Sequence, residues 1–335
     1  MYYKLLFTIS LMIGTLITIS SYSWMGMWMG LEINLLSMIP LISDSKNMMA
    51  SEAALKYFII QTMASTLLLF SIIMMSMKFM YQINLITYFN LMFNTSLLIK
   101  MGAAPFHFWF PEVMEGLNWL NSILMLTWQK VSPMVLLTYS NTTTIYLIIV
   151  ILFSMTISGI MGLNQTSLRK ILAYSSINHI GWMISSILLI EIIWFYYFII
   201  YSIITINIAA MFYKLNIFHV NQLYISMNHN LMFKLFFILN FLSLGGLPPF
   251  LGFFPKWLTI QILIQNNLYS LAFIMILMTL MTLYFYMRIT FSTLLLSKTM
   301  ISFYKQPKIN NQYLMAFNFI TLNSLILSTF LFNFL

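Results

Sequence analysis

The sequence predicts an all-α, polytopic membrane protein: about eleven transmembrane helices in two inverted five-helix repeats, each with a broken helix, plus a carboxyl-terminal helix. Three observations predict it. Of the 335 residues, 61% are hydrophobic and only 6% charged, with a mean hydropathy of +0.92, too few charges to solvate a globule of this size. Each crossing takes about 20 residues, so the length leaves no room for a soluble domain. The stretch Lys100-Met101-Gly102-Ala103-Ala104-Pro105-Phe106-His107-Phe108-Trp109-Phe110-Pro111-Glu112 interrupts an apolar run. Its Gly102, Pro105, Phe106, Phe110 and Pro111 recur as Gly246, Pro249, Phe250, Phe254 and Pro255, each displaced by 144 residues. A proline removes a backbone donor, and bare backbone groups at membrane depth are tolerated only in protein or beside a watery cavity. Two matching interruptions mark a transporter-like fold.

The expected spans run Leu5–Ser21, Trp24–Ile42, Ala53–Met77, then Leu85–Ala104 with its broken second half Phe106–Gly116. Asn121–Tyr139, Ile145–Leu163, Ile171–Ile190, Ile192–Phe218, the broken Phe233–Ile264, Leu268–Leu295 and Tyr313–Phe334 follow. Within this single membrane domain, 1–140 form the first repeat and 141–296 the second, with 297–335 a connecting loop and last helix. Loops are short, leaving only His219 to Asn230 and Lys298 to Asn311 able to carry anything of size.

Charge orients the chain. With this span order Lys4, Lys46, Lys56, Arg169, Lys170, Lys214, Lys234, Arg288, Lys298, Lys305 and Lys308 gather on one side and Lys78 alone on the other. The positive-inside rule then puts the amino terminus on the cytoplasm-like side and the carboxyl terminus opposite. Each repeat holds an odd number of spans, so the two copies sit inverted.

Several function classes fall away. The net charge of +9 comes from basic residues scattered singly, which build no nucleic-acid patch. There is no cysteine, so thiolate-held iron–sulfur clusters, cysteine–zinc sites and disulfides are absent from this chain. There is no Gly-rich dinucleotide fingerprint after a strand either. No metal site is expected: His219 and His229 are read as loop residues without further ligands. Met1-Tyr2-Tyr3-Lys4 leads straight into an apolar run without a small-residue cleavage site, so no removable targeting peptide is expected.

Glu32, Lys100, Lys130 and Lys256 remain at membrane depth, where an uncompensated charge costs roughly 2.5–3.5 kcal/mol on the translocon scale. A carboxylate and lysines in such a place either form a structural pair or exchange protons with one another. Lys130 precedes Pro133, which leaves the Gln129 carbonyl without its helical donor and can admit water beside the ammonium. Lys100 and Lys256 flank the two interruptions, and Lys256 has a second reading as a lysine that snorkels to the interface. At the 144-residue offset Glu32 matches Ser176, Lys100 matches Leu244, Lys130 matches Ile274, and Lys256 takes the place of Glu112. A row of separated charges suits lateral proton relay better than one substrate pocket.

Secondary relay candidates are Tyr174, Ser175, Asn178 and His179, placed at helical spacing on one face of the seventh span; such residues also serve as interhelical glue. His107 is either a relay member or a ring packed between aromatics. Glu52 and Lys56 form an i,i+4 pair, and Glu112, Glu115 and Glu191 read as boundary charges.

Three stretches carry a resemblance: Glu32 in the second span, Lys100 ahead of Gly102-Ala103-Ala104-Pro105-Phe106-His107-Phe108-Trp109, and Trp128-Gln129-Lys130. Leu244-Gly245-Gly246-Leu247-Pro248-Pro249-Phe250 leading to Lys256, and Tyr174-Ser175-Ser176-Ile177-Asn178-His179-Ile180-Gly181, extend it over nearly the whole chain. Together they resemble the antiporter-like membrane subunits of mitochondrial respiratory complex I, in the shortened animal form. The resemblance implies a proton-translocating subunit of the inner membrane, amino terminus on the matrix side and carboxyl terminus on the intermembrane-space side. It also implies that Glu32 pairs with Lys100, that Lys130 and Lys256 continue a hydrated polar axis, and that other membrane-arm and accessory subunits are partners. NADH, FMN, iron–sulfur clusters and ubiquinone would belong to the assembly and none to this chain. An independent cation/proton antiporter and a structural spacer are the competing readings.

Overall fold

Why the chain is helical throughout is visible in its composition: long apolar runs in which every backbone group is satisfied within its own segment. The computed structural model describes residues 2–44, 46–77, 83–140, 143–227, 231–295 and 318–319. All regular elements among them are helices. The expected last span Tyr313–Phe334, apart from residues 318–319, lies outside the described residues, as do the Lys298 to Asn311 loop, Lys78 and His229. Among the described residues, six helices are long and apolar enough to cross a membrane.

Two compact units divide at Ser154 and Met155. The first holds α1 (Tyr2–Ser20), α2 (Trp24–Ile42), α3 (Met48–Ser76), α4 (Ile83–Met101), α5 (Trp109–Gly116), α6 (Trp119–Leu126) and α7 (Trp128–Tyr139). Ser23 caps α2 by accepting from the Gly26 N–H, and Asn47 caps α3 by accepting from Met49. α1 and α2 meet backbone to backbone because glycines line the contact. A Cβ on Gly30 would stand 2.6 Å from Thr18 Cγ2 and 2.8 Å from the Gly14 carbonyl oxygen. Gly30→Ala is therefore expected to cost about 1–3 kcal/mol by overpacking, read as a lowered unfolding temperature in detergent.

α8 (Thr144–Gly162) runs from the first unit into the second, which holds α9 (Leu168–Leu189), α10 (Glu191–Leu215), α11 (Val220–Ser226), α12 (Leu231–Gly245), α13 (Phe253–Gln265) and α14 (Tyr269–Leu295). α9 is its centre. Every residue from Ile171 to Ile187 is buried, polar ones included, as befits a helix covered on all sides.

Three elements differ from expectation. The fifth span, expected as one helix over Asn121–Tyr139, is interrupted at Thr127, whose hydroxyl donates back to the Ile123 carbonyl at 2.7 Å; such back-bonding bends helices. The broken half-helix after the first interruption begins at Trp109 rather than Phe106, because Pro105 to His107 are spent in turns. The connection after His219 carries α11, opened by reciprocal bonds between His219 and Gln222.

The interruptions occupy residues 102–108 and 246–252 and share one hydrogen-bond pattern. Gly102 and Ala103 N–H donate to Ile99 and Leu98; Gly246 and Leu247 donate to Ser243 and Leu242. Phe106 donates to Ala103 and Phe110 to His107, as Phe250 does to Leu247 and Phe254 to Leu251. Gly102 has φ +72° and Gly246 φ +78°, a left-handed helix ending that glycine adopts without a Cβ penalty. Pro111 and Pro255 then fall in the first turns of α5 and α13, where no helical N–H partner is lost.

Candidate functional site

Among the described residues three lysines are buried: Lys100, Lys130 and Lys256 are 7%, 1% and 6% exposed. Each is placed by an irregularity in a helix. Lys100 stands in the last turn of α4, just before the first interruption. Lys130 begins α7, where its N–H donates to the Thr127 carbonyl across the Thr127 break. Lys256 lies in the first turn of α13, after the second interruption.

In the first unit Lys100 lines a cavity of about 10 Å³ together with Leu31, Asn34, Leu35, Tyr57, Gln61, Gln129, Ser132 and Pro133. That is close to the space one water needs, and the walls are polar enough to hold it. A side-chain network wraps this cavity. Gln129 Nε2 donates to Asn34 Oδ1 at 2.9 Å, and Asn34 Nδ2 to Ser132 Oγ at 3.4 Å. The Tyr57 hydroxyl meets Gln129 Oε1 at 3.5 Å, and Gln61 Nε2 donates to the Lys100 carbonyl at 3.4 Å. Sequence reasoning missed Asn34, Tyr57, Gln61 and Gln129. Asn34 beside Glu32 and Gln129 beside Lys130 are polar residues in apolar spans, and that was the available signal.

Glu32, half-buried on α2, does not touch Lys100: among the described residues no ion pair within 4 Å joins them. Lys130 faces another way, its ammonium 5.3 Å from the centre of the Phe110 ring, a cation–π distance. Phe110 lies in the first turn of α5, directly after the first interruption.

His107 is buried within the first interruption, its ring stacked on Phe108 at 4.4 Å and its Nδ1 3.3 Å from the Pro105 carbonyl oxygen. This is packing between aromatics, with one ring nitrogen turned to the backbone. Glu112 is more than a boundary charge. Lys56 bridges it at 2.8 Å and Glu52 at 2.9 Å, an ion-pair cluster on the surface of α3 and α5.

In the second unit Ser175, Asn178 and His179, at i, i+3 and i+4 on one face of α9, serve different neighbours. Asn178 Nδ2 donates to Thr282 Oγ1 on α14 at 2.9 Å, while His179 Nδ1 meets the Tyr197 hydroxyl on α10 at 2.9 Å. Ser175 donates to the Leu172 carbonyl within its own helix. Tyr201 stacks beside His179 at 5.0 Å, and the Tyr286 hydroxyl lies beside Ser175 without meeting hydrogen-bond geometry. These polar groups tie three helices together around a buried imidazole. Lys256 Nζ reaches back to the Gly245 and Leu244 carbonyl oxygens at 2.9 and 3.3 Å. It does not snorkel to an interface.

The family described as NADH:quinone oxidoreductase/Mrp antiporter, transmembrane, matches residues 21–282. The chain is 50% identical over 293 residues to NADH-ubiquinone oxidoreductase chain 2 of Locusta migratoria, covering 88% of this chain and 86% of the relative. It is 48% identical over 329 residues to the protein of the same name from Anopheles gambiae, covering 96% of each. Its fold is similar to a chain of respiratory complex I from Thermus thermophilus, with a TM-score of 0.88 at 20% identity over 98% of this chain and 79% of that one. Carrying its buried lysines at interrupted helices, this chain belongs to the NADH:quinone oxidoreductase/Mrp antiporter membrane family, among the NADH-ubiquinone oxidoreductase chain 2 proteins.

Proposed function

We propose that this chain is an antiporter-like membrane-arm subunit of mitochondrial respiratory complex I and transfers protons across the inner membrane. The single observation that carries the reading is the burial of Lys100, Lys130 and Lys256, each at a helix interruption, in a chain with so few charges. A buried lysine is worth its desolvation cost where loading and unloading a proton is its task. In this reading quinone reduction in partner subunits changes the field around Glu32 and Lys100. Protons then pass by way of Lys130 and Lys256, with His107, Ser175, Asn178 and His179 as auxiliary groups. The NADH, FMN, iron–sulfur and ubiquinone chemistry belongs to the partners.

The reading includes eleven spans in two inverted repeats, 1–140 and 141–296. The amino terminus lies on the matrix side and the carboxyl terminus on the intermembrane-space side. Support comes from the lopsided distribution of lysine and arginine and from the shared backbone pattern of the two interruptions.

The test is gentle solubilisation of native membranes, separation on a native gel, staining for NADH oxidation and identification of this chain by mass spectrometry. Co-migration with a very large NADH-oxidising band is expected. Migration alone or as a small oligomer would overturn the reading and favour an independent cation/proton antiporter.

A further inference from the structure

The two interruptions have the same backbone but different partners for the carbonyls that end the first helix. At the end of α4 the Lys100 carbonyl accepts from the Gln61 amide, and the Ile99 carbonyl accepts from Trp109 Nε1 at 3.1 Å. Both donors are neutral. At the end of α12 the Leu244 carbonyl, which matches Lys100 at the 144-residue offset, and the neighbouring Gly245 carbonyl both face the Lys256 ammonium. The negative end of a helix dipole favours a cation there, and an ammonium has three hydrogens to give.

What lets the lysine reach these oxygens is an absence of side chain. A Cβ on Gly246 would lie 2.8 Å from Lys256 Cδ, 2.9 Å from Nζ and 3.1 Å from Cε. At Gly102, with nearly the same φ, the three atoms nearest a Cβ would all belong to the Phe110 side chain, at 3.1–3.4 Å. Gly102 thus serves the turn alone, whereas Gly246 serves the turn and also borders the ammonium. The atoms that a new Cβ would strike belong to a flexible side chain, so the lysine would yield before the backbone did.

We propose that Gly246 is a positioning residue for Lys256: its bare Cα forms the seat that holds the ammonium on the Leu244 and Gly245 carbonyl oxygens. The second interruption is then closed by a group that carries a proton, while the first is closed by groups that do not. This rests on the reading of Lys256 as a proton carrier, but the seat itself can be measured without it.

The experiment compares Gly246→Ala, Gly102→Ala, Lys256→Gln and the Gly246→Ala/Lys256→Gln double variant in the assembled complex, by density maps and by the ratio of protons moved to electrons passed. Both alanines carry the strain of a positive φ. Gly246→Ala is expected to move Nζ beyond hydrogen-bond distance of both oxygens, and Gly102→Ala to leave it in place. Gly246→Ala should lower the ratio, and in the Lys256→Gln background it should lower it no further, because the group it positions is gone. Equal losses from Gly246→Ala with and without the lysine, or an ammonium still seated in the Gly246→Ala map, would overturn the proposal. Should Gly246→Ala fail to assemble, the unsubstituted complex decides: Nζ more than 4 Å from both oxygens in its map refutes the seat. If Lys256→Gln leaves the ratio unchanged while the maps show the seat, the proton-carrier reading fails and the positioning of Lys256 stands.

Discussion

Replacing Lys130 by methionine is expected to leave the complex assembled and to slow proton-coupled turnover about 10²-fold or more, the usual contribution of a positioned acid–base group. Methionine keeps most of the volume of a side chain that is 1% exposed, and volume-conserving apolar replacements in a core usually cost less than about 1.5 kcal/mol. It also spares the fold the burden of holding a cation away from water. The lost ring contact with Phe110 is worth about 0.5–2 kcal/mol, small beside the rest of the packing. What disappears is the exchangeable proton. The check is the proton-to-electron ratio in membranes whose NADH-oxidising band is intact. An unchanged ratio would identify the chain as a spacer whose lysines only hold helices.

Gly252→Ala is expected to be the most damaging small substitution in the second unit. Its φ of −64° suits any residue, so backbone preference is not the obstacle. The obstacle is that a Cβ would run into the Ser243 carbonyl oxygen and stand 2.8 Å from its carbon. Both atoms are backbone, and the same oxygen already accepts from Gly246 at 3.0 Å. Nothing flexible can yield, so the interruption must open, at a cost at or above the top of the usual range of about 1–3 kcal/mol for overpacking. The measurement is the fraction of chain recovered in the assembled complex and its unfolding temperature, with Gly245→Ala for comparison. A Cβ at Gly245 would meet only ordinary contacts, at 3.6 Å and beyond.

The interruptions were legible because Gly-Ala-Ala-Pro and Gly-Leu-Pro-Pro each remove a donor and supply a left-handed turn within a few residues. No such punctuation exists at Thr127, a residue type that sits in many continuous helices, and its hydroxyl bond to Ile123 is of a kind that α10 also carries at Thr205 without a break. The buried lysines stood out because a charge in an apolar run has few uses. The amides around them did not, because Asn34, Gln61 and Gln129 are single polar residues on three separate helices, whose partners lie 39 to 98 positions away. Glu112 looked like a boundary charge for the same reason, its lysine being 56 residues distant in sequence. Helical spacing groups Ser175, Asn178 and His179 on one face, but it does not say that Asn178 bonds to α14 and His179 to α10.

α3 behaves like a splint across a fracture. Gln61 grips the end of α4 through the Lys100 carbonyl, Lys56 grips α5 through Glu112, and the two anchor points lie five residues apart on one helix, roughly 7 Å of rise. Gly116 lets the far end of α5 lie directly on the start of α3, since a Cβ there would run into the Met49 carbonyl oxygen. Any load applied to α4 is therefore carried past the gap to α5 by a neighbouring rod instead of being absorbed as a hinge within it. The residues offset by 144 from these anchors are Ile200 and Thr205, and Thr205 spends its hydroxyl on its own helix. α10, the helix at the matching place, packs on both α12 and α13, so the second gap is spanned by a rod as well, without polar grips at those two positions.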